Sequence, residues 1–478
     1  MRFLLIAALS ALSTVSQAQN RPLVSADSAL VGRILLAEDR RDSTDPALVE
    51  GAAHADPRVS ILARRALGRI RTPRFVSRDS FPALPAPPVW PEPAWRLRFR
   101  ALTPQVTDCH AFQVALADSA WPVRLHAADL VPPACAADDS IVATLRAWID
   151  ALPRDVSRRE PGGVSWHAAA HAAVALARLS PEAARAYLPA LASHRDWHVR
   201  LYAARAAAVL SDTLRLQALL RDRDDNVKEA AIDGLSRLTG HADDSLFVAA
   251  LDADGAQAVR AAAVALKGSP RPGVTTAAAV TFAKWVAKGV ASARDVRIAL
   301  LEVTGSSPGD DRPPPPRYTL PPDAVALALG KDVRLRVTMS PASGGGSFMV
   351  RLRGDVAPMM AARILQLARS GYYDHGNWHR VEADFVIQGA GPGTNEYVGY
   401  SQYLRDELGT VPHVRGTVGM STRGHDSGDA QWFINLRDNP RLGRDYTVFG
   451  EVVEGIDVVD GILEGDVIAS IRPVPPGT

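Results

Sequence analysis

Lysine and cysteine are scarce in this sequence, and neither sign of charge dominates it. Five lysines (Lys228, Lys267, Lys284, Lys288 and Lys331) and two cysteines (Cys109 and Cys135) occur in 478 residues. Aromatic residues make up 6% and the formal net charge is +2. Near-neutrality argues against a general nucleic-acid binder, which needs a concentrated basic surface. Two cysteines are too few for a disulfide-dense scaffold, and with no Cys-x-x-Cys no metal site is expected. Spacing alone leaves Cys109 and Cys135 open between a bridge and two free thiols. Downstream of the N-terminus no apolar run approaches the roughly 20 residues that a membrane-spanning helix requires, so no membrane span is expected.

The first residues, MRFLLIAALSALSTVSQAQN, place Arg2 before an apolar run from Phe3 to Leu12. Ser16-Gln17-Ala18 then offers small residues at a cleavage site, so 1–18 read as a signal peptide. That predicts an exported protein, periplasmic or secreted from a bacterium.

From 19 to 305 the chain repeats a pattern. A polar or Asp/Pro turn leads into Val or Val-Arg and then an alanine-rich amphipathic stretch. Copies open at Asp56-Pro57-Arg58-Val59, Trp121-Pro122-Val123-Arg124, Asp196-Trp197-His198-Val199-Arg200 and Asp224-Asp225-Asn226-Val227, with later ones at Val259-Arg260 and Val296-Arg297 and a weaker one at Val164. From Val123 onward the marker valines lie 28 to 41 positions apart, the length of a helical hairpin that buries one face on its neighbour. These residues resemble HEAT-type repeats. Such an all-α array implies a surface for a client or protein partner. A Pro-rich run, FPALPAPPVWPEP, interrupts it from Phe81 to Pro93. His167 and His171 share a helix face, but Ala168 stands where a zinc-site glutamate would be, and no nucleic-acid stripe of basic and aromatic residues appears.

A second Pro-rich stretch lies within 306–331 and reads as a linker. From 332 to 478 the helical period gives way to short alternating strands. Val333, Leu335, Val337 and Met339 predict one strand, and Phe348, Val350 and Leu352 its hairpin partner after Gly344-Gly345-Gly346. Asp355 is placed to cap a helix that has Pro358 in its first turn and Met360, Ile364 and Leu367 on its buried face.

Four stretches then follow in order: WHRVEADFVIQGAGP (Trp378 to Pro392), RGTVGMSTRG (Arg415 to Gly424), AQWFINL (Ala430 to Leu436) and YTVFGEVVEGIDVVDGI (Tyr446 to Ile462). Together they resemble the cyclophilin family of peptidyl-prolyl cis-trans isomerases. The resemblance implies a closed eight-stranded antiparallel β-barrel with two flanking helices, no cofactor, and proline-containing polypeptide clients. It places the catalytic arginine at Arg380, with Gln388 holding it. Phe385, Val386, Phe433 and Leu442 match the proline pocket, and Ser421, Thr422, Gln431 and Tyr446 match the surrounding groove. Val386, Thr422 and Tyr446 depart from the commoner methionine, asparagine and histidine, and Arg441 stands near the position of a tryptophan. Strand parity adds an independent expectation: Val386 and Gln388 share one face with Gln431 and Phe433, while Trp432 and Ile434 face a core. The glycine run after Gln388 lacks the strand–turn–helix context of a nucleotide loop. His425, Asp426 and Ser427 are consecutive in a loop and cannot converge as a triad. The chain therefore reads as an exported prolyl isomerase with a client-holding array. The alternative is a non-catalytic scaffold whose barrel only binds proline-containing segments.

Overall fold

The computed structural model describes residues 24–72, 84–152, 165–311, 319–391 and 393–474. The expected signal peptide, the weak repeat marker at Val164 and part of each Pro-rich stretch lie outside these residues.

The helical half is built on aspartates. Asp45, Asp56, Asp108, Asp138, Asp196, Asp212 and Asp224 each accept a backbone N–H at the start of a helix, a cap worth about 1 kcal/mol apiece. In the repeat turns, Asp196 takes the His198 N–H at 2.8 Å and Asp224 the Asn226 N–H at 2.9 Å. The arginine after the marker valine then reaches across the stack. Arg200 grips Asp222 through two bonds of 2.7 and 2.8 Å, and Arg297 grips Asp311 at 2.7 and 3.0 Å. Buried alanines, among them Ala203, Ala204, Ala207, Ala261, Ala262 and Ala263, let the helices approach closely. Paired helices of this kind, from Cys109–Leu116 to Arg294–Val303, are consistent with a repeat array. Cys109 and Cys135 are joined by a disulfide. No helix among the described residues is long and apolar enough to cross a membrane.

The apolar core divides at a different place from the composition. One buried cluster runs from Leu102 to Val303. A second joins the helices Ser25–Arg40, Pro46–Ala52 and Pro57–Arg71 to the C-terminal sheet and its helices. Residues of the first repeat-like segment thus help to build the core of the C-terminal unit. Arginines fasten the join: Arg69 donates to the carbonyls of Val356 and Leu408 at 2.7–3.0 Å and to Glu38 at 2.7 Å. The visible part of the first Pro-rich run lies extended along the same unit. Trp90 Nε1 donates to the Val452 carbonyl at 3.1 Å, and the Pro91 carbonyl accepts from Arg415 at 3.0 Å. Proline has no N–H to satisfy, so this strap is held through side chains, its own Trp90 and Arg415 of the surface it crosses.

The C-terminal unit is one antiparallel sheet of eight strands: β1 (Arg334–Met339), β2 (Ser347–Leu352), β3 (Arg380–Val381), β4 (Val386–Gly389), β5 (Thr417–Met420), β6 (Trp432–Asn435), β7 (Val448–Glu454) and β8 (Ile468–Val474). Their order is β3-β4-β6-β5-β7-β2-β1-β8. The sheet curls into a half-barrel whose end strands do not pair. Residues 375–378 bridge the gap, with Trp378 N–H on Asp466 O at 3.0 Å, Ile468 N–H on Gly376 O at 2.7 Å and Ala390 N–H on Asn377 O at 3.0 Å. β1 and β2 form the expected hairpin, with Val337 opposite Phe348, and Gly344, Gly345 and Gly346 all take positive φ in its turn. Trp378 and Trp432 meet edge to face at 5.1 Å inside.

The helix Pro358–Arg369 buries Met360, Ile364 and Leu367 as its spacing predicts, but Asp355 does not cap it. That carboxylate accepts from Arg353 at 2.6 Å. Glu407, distant in sequence, receives the free N–H groups of Met359 and Met360 at 3.2 and 2.8 Å.

Candidate functional site

The site grows from the β3–β4 hairpin and its neighbours. Arg380 on β3 lies opposite Gln388 on β4, and Gln388 lies opposite Phe433 on β6. Alternation then sorts the side chains. Ile387, Trp432 and Ile434 enter the barrel core, while Val386, Phe433 and Leu442 form a separate small apolar cluster, flanked by Phe385 and Tyr446. The groove over that cluster has a volume of about 170 Å³, and Arg380, Gln388, Ser421, Thr422 and Glu396 complete its wall. A Cβ on Gly419 would come within 2.3 Å of the Phe433 ring, so the glycine of the RGTVGM stretch makes room for the groove floor.

A chain of hydrogen bonds fixes the polar edge. Ser421 Oγ accepts from Gln388 Nε2 at 2.8 Å, and Gln388 Oε1 accepts from Arg380 Nη1 at 3.3 Å. Gln388 is only 6% exposed, so its amide is held, whereas the Arg380 side chain remains 44% exposed with donors left for a ligand. Glu382 approaches Arg380 at 3.7 Å, an exposed pair of little energy. The arrangement presents a half-exposed guanidinium beside a small apolar pocket.

Gln431 is placed differently from the expectation that it faces the groove. It is 2% exposed and donates to the carbonyls of Asn395 and Val398 at 3.0 and 2.7 Å. It shares the predicted face of β6, but the 393–398 loop covers it, and its role is to hold that loop. Arg441 sits with its guanidinium 4.7 Å from the Phe385 ring, packing against the rim.

Several contributors carry no signal in the sequence. His413 stacks on Phe433 at 5.8 Å, and its ring nitrogens meet the Tyr446 carbonyl and Asn435 at 3.1 Å. Burial lowers its pKa, so it supports the pocket as a neutral ring. The helical array also touches the groove loop. Asn226 donates to Thr394 Oγ1 at 3.2 Å, Arg260 lies 4.2 Å over the Tyr397 ring, and Asp295 forms an ion pair with the groove residue Arg423. Nothing in local periodicity links residues 128 to 168 positions apart.

The two histidines set aside as zinc ligands have other partners: His167 meets the Glu464 carbonyl at 2.8 Å, and His171 meets Asp129 at 2.7 Å. In the 425–427 loop, His425 pairs with Asp406 at 2.8 Å, Asp426 with Arg41 at 2.7 Å, and Ser427 donates to the Gly424 carbonyl at 2.6 Å, so the three side chains diverge.

His379, next to Arg380, has both ring nitrogens buried without a hydrogen-bond partner among the described residues. Burial, helped by the Arg380 charge, brings its pKa from 6.5 down to about 4. The unfolded chain therefore takes up this proton at higher pH than the folded one. The stability from a neutral His379 is complete above pH 6.5 and is lost progressively as pH falls toward about 4. The fall in urea midpoint between about pH 7 and about pH 4.5 should be smaller in His379→Gln than in the wild type. An equal fall in both would contradict this assignment.

Comparison with known proteins agrees with this geometry. Residues 336–478 match the family described as cyclophilin type peptidyl-prolyl cis-trans isomerase/CLD. A peptidyl-prolyl cis-trans isomerase of Helicobacter pylori is 35% identical over 130 residues, covering 26% of this chain and 80% of that protein. The peptidyl-prolyl cis-trans isomerase ppi1 of Schizosaccharomyces pombe is 35% identical over 138 residues, covering 27% of this chain and 88% of that protein. A solved cyclophilin type peptidyl-prolyl cis-trans isomerase of Cryptosporidium parvum matches over 98% of its length and 30% of this chain, with 21% identity and a TM-score of 0.29. Through its C-terminal half-barrel, this chain belongs to the cyclophilin-type peptidyl-prolyl cis-trans isomerases.

Proposed function

We propose that the chain turns X-Pro bonds in exported polypeptides, with Arg380 as the catalytic donor and the helical array as a surface that holds the client. The observation that carries this reading is the Ser421–Gln388–Arg380 hydrogen-bond chain beside the Val386–Phe433–Leu442 pocket. Rotation about an amide breaks its resonance, a barrier of about 18–20 kcal/mol. No covalent bond to the enzyme is needed; the site has only to bind the twisted amide better than the planar one. As the amide twists, the proline nitrogen becomes pyramidal and its lone pair localises. Phe385, Val386, Phe433 and Leu442 hold the ring, and the Arg380 guanidinium, oriented by Gln388, donates to that lone pair. Ser421 orients Gln388, Thr422 and Tyr446 line the groove, and Gln431 holds the loop beside it.

Export is supported by the signal-like residues 1–18 and by the Cys109–Cys135 bridge, since disulfides persist in oxidising compartments such as the periplasm. Client holding is supported by the contacts that bring Asn226, Arg260 and Asp295 against the groove loop.

The test uses the full chain, because residues 25–71 share the core of the half-barrel. It should accelerate both the isomerisation of a short X-Pro peptide and the proline-limited refolding of a protein. Excess unfolded, proline-free polypeptide should inhibit the refolding reaction and leave the short peptide untouched. No acceleration of either reaction would overturn catalysis, and no inhibition by the competitor would overturn the role of the array.

A further inference from the structure

A second cleft adjoins the isomerase groove, between the array and the half-barrel. Its volume is about 430 Å³, within the roughly 300–1,000 Å³ of ligand clefts. Arg380 and Glu396 border both cavities, so the cleft lies directly beside the groove over Phe433. The far wall belongs to the array: Trp197 and Leu201 from the helix Trp197–Val209, Glu229 and Asp233 from the helix Asp225–Thr239, and Gln257 from the helix Ala256–Leu266.

Apolar and acidic groups therefore face one another. Glu229, Asp233 and Glu396 supply three carboxyl groups, while Trp197 and Leu201 supply an apolar strip. Of the three arginines that line the cleft, Arg380 is shared with the groove and donates to Gln388. Arg205 lies 4.5 Å over the Tyr202 ring, beside Glu464, which accepts from Tyr202 at 2.8 Å, and Arg237 is exposed. Arg260 reaches Glu229 only at 3.8 Å, its guanidinium lying over Tyr397. Gln257 is 4% exposed and donates to Glu229, leaving its own Oε1 buried without a partner among the described residues. A buried acceptor with no donor is costly, and here it stands beside Glu229, which Arg260 approaches only to 3.8 Å.

We propose that this cleft takes a lysine or arginine side chain of the client polypeptide, a few residues from the proline seated on the isomerase groove. The stem of such a side chain lies along Trp197 and Leu201 while the charged head meets the carboxylates, a division of apolar body and polar tip suited to these residues. Cation–π attraction from Trp197 acts in the same direction. Burial and the neighbouring carboxylates hold the Glu229 pKa up to about 7, and a seated cation would bring it down. This inference rests on the reading that the array holds clients, and it adds the chemistry that the array selects.

The experiment compares proline peptides of several residues carrying lysine or glutamate on either flank, with a short X-Pro peptide as reference, all against the full chain. On one flank, lysine should lower KM about tenfold relative to glutamate, the factor given by one ordinary charge-assisted hydrogen bond. The preference should disappear in the paired variant Glu229→Gln with Asp233→Asn and reverse in Glu229→Lys. Turnover of the short peptide should stay unchanged in the paired variant, which also shows that it is folded. Equal KM values for lysine and glutamate on both flanks of the wild type would overturn the inference, as would a lysine preference surviving in the paired variant. If unfolded polypeptide still competes while no lysine preference appears, this inference alone fails; if it does not compete, the reading beneath it fails.

Discussion

Arg96→Ala should lower the stability of the full chain by about 3–5 kcal/mol, from lost charge-assisted hydrogen bonds to buried carbonyls and the cavity left behind. Arg96 is 0% exposed. It donates to the carbonyls of Ala383 at 3.0 Å and Leu436 at 2.6 Å and to Asp460 at 2.8 Å. Asp460 keeps a second partner, Arg415, so it does not become an isolated charge. The loss comes from the Ala383 carbonyl, which gives up a charged donor worth about 1.5–3 kcal/mol, and from the cavity left by the side chain. The Leu436 carbonyl contributes less, because it keeps Arg415 at 3.1 Å. Ala383 lies between β3 and β4, so the same change loosens the hairpin that carries Arg380. The urea midpoint reports the first effect and turnover of a short X-Pro peptide the second. Arg98, two residues on, is exposed and paired with Asp118 at 2.6 Å. Its replacement by alanine should leave the urea midpoint nearly unchanged, because exposed ion pairs contribute little, which makes it the control. A loss at Arg96 no larger than at Arg98 would show that the helix Trp95–Ala101, which follows the strap, is not anchored to the half-barrel through Arg96.

The strap illustrates what could and could not be read from the sequence. Local features were legible because they are periodic. The repeat turns that open at Asp56, Asp196 and Asp224, the β1–β2 hairpin and the parity that separates Val386 and Phe433 from Trp432 all follow from neighbours in the chain. The site was legible to the extent that its residues fall in short ordered stretches. What escaped depends on long-range partners. Asp355 looks like a helix cap by position, yet Arg353 takes it and Glu407 supplies the cap from elsewhere in the fold. Gln431 has the right parity for the groove, but parity does not reveal that the 393–398 loop lies over it. Residues 25–71 have the composition of the array, and only packing shows that they complete the core of the half-barrel.

Arg380→Ala should reduce kcat/KM for a short X-Pro peptide by about 10²–10³, the usual effect of removing one preorganised donor to charge that develops in the transition state. Gln388 and Ser421 remain in place, and Val386, Phe433 and Leu442 pack on one another as a separate apolar cluster. Ground-state binding should therefore change little, and the loss should fall on kcat. Arg380 is largely exposed and its pair with Glu382 is weak, so the urea midpoint should move by no more than about 1 kcal/mol equivalent. The most direct measurement is cis–trans exchange of that peptide, followed by NMR with the full-length wild type and Arg380→Ala at matched concentrations. Exchange accelerated by the wild type and nearly abolished in the variant, with peptide affinity retained, is the result expected. Equal acceleration by both proteins, or none by either, would contradict the assignment of Arg380 as the catalytic donor.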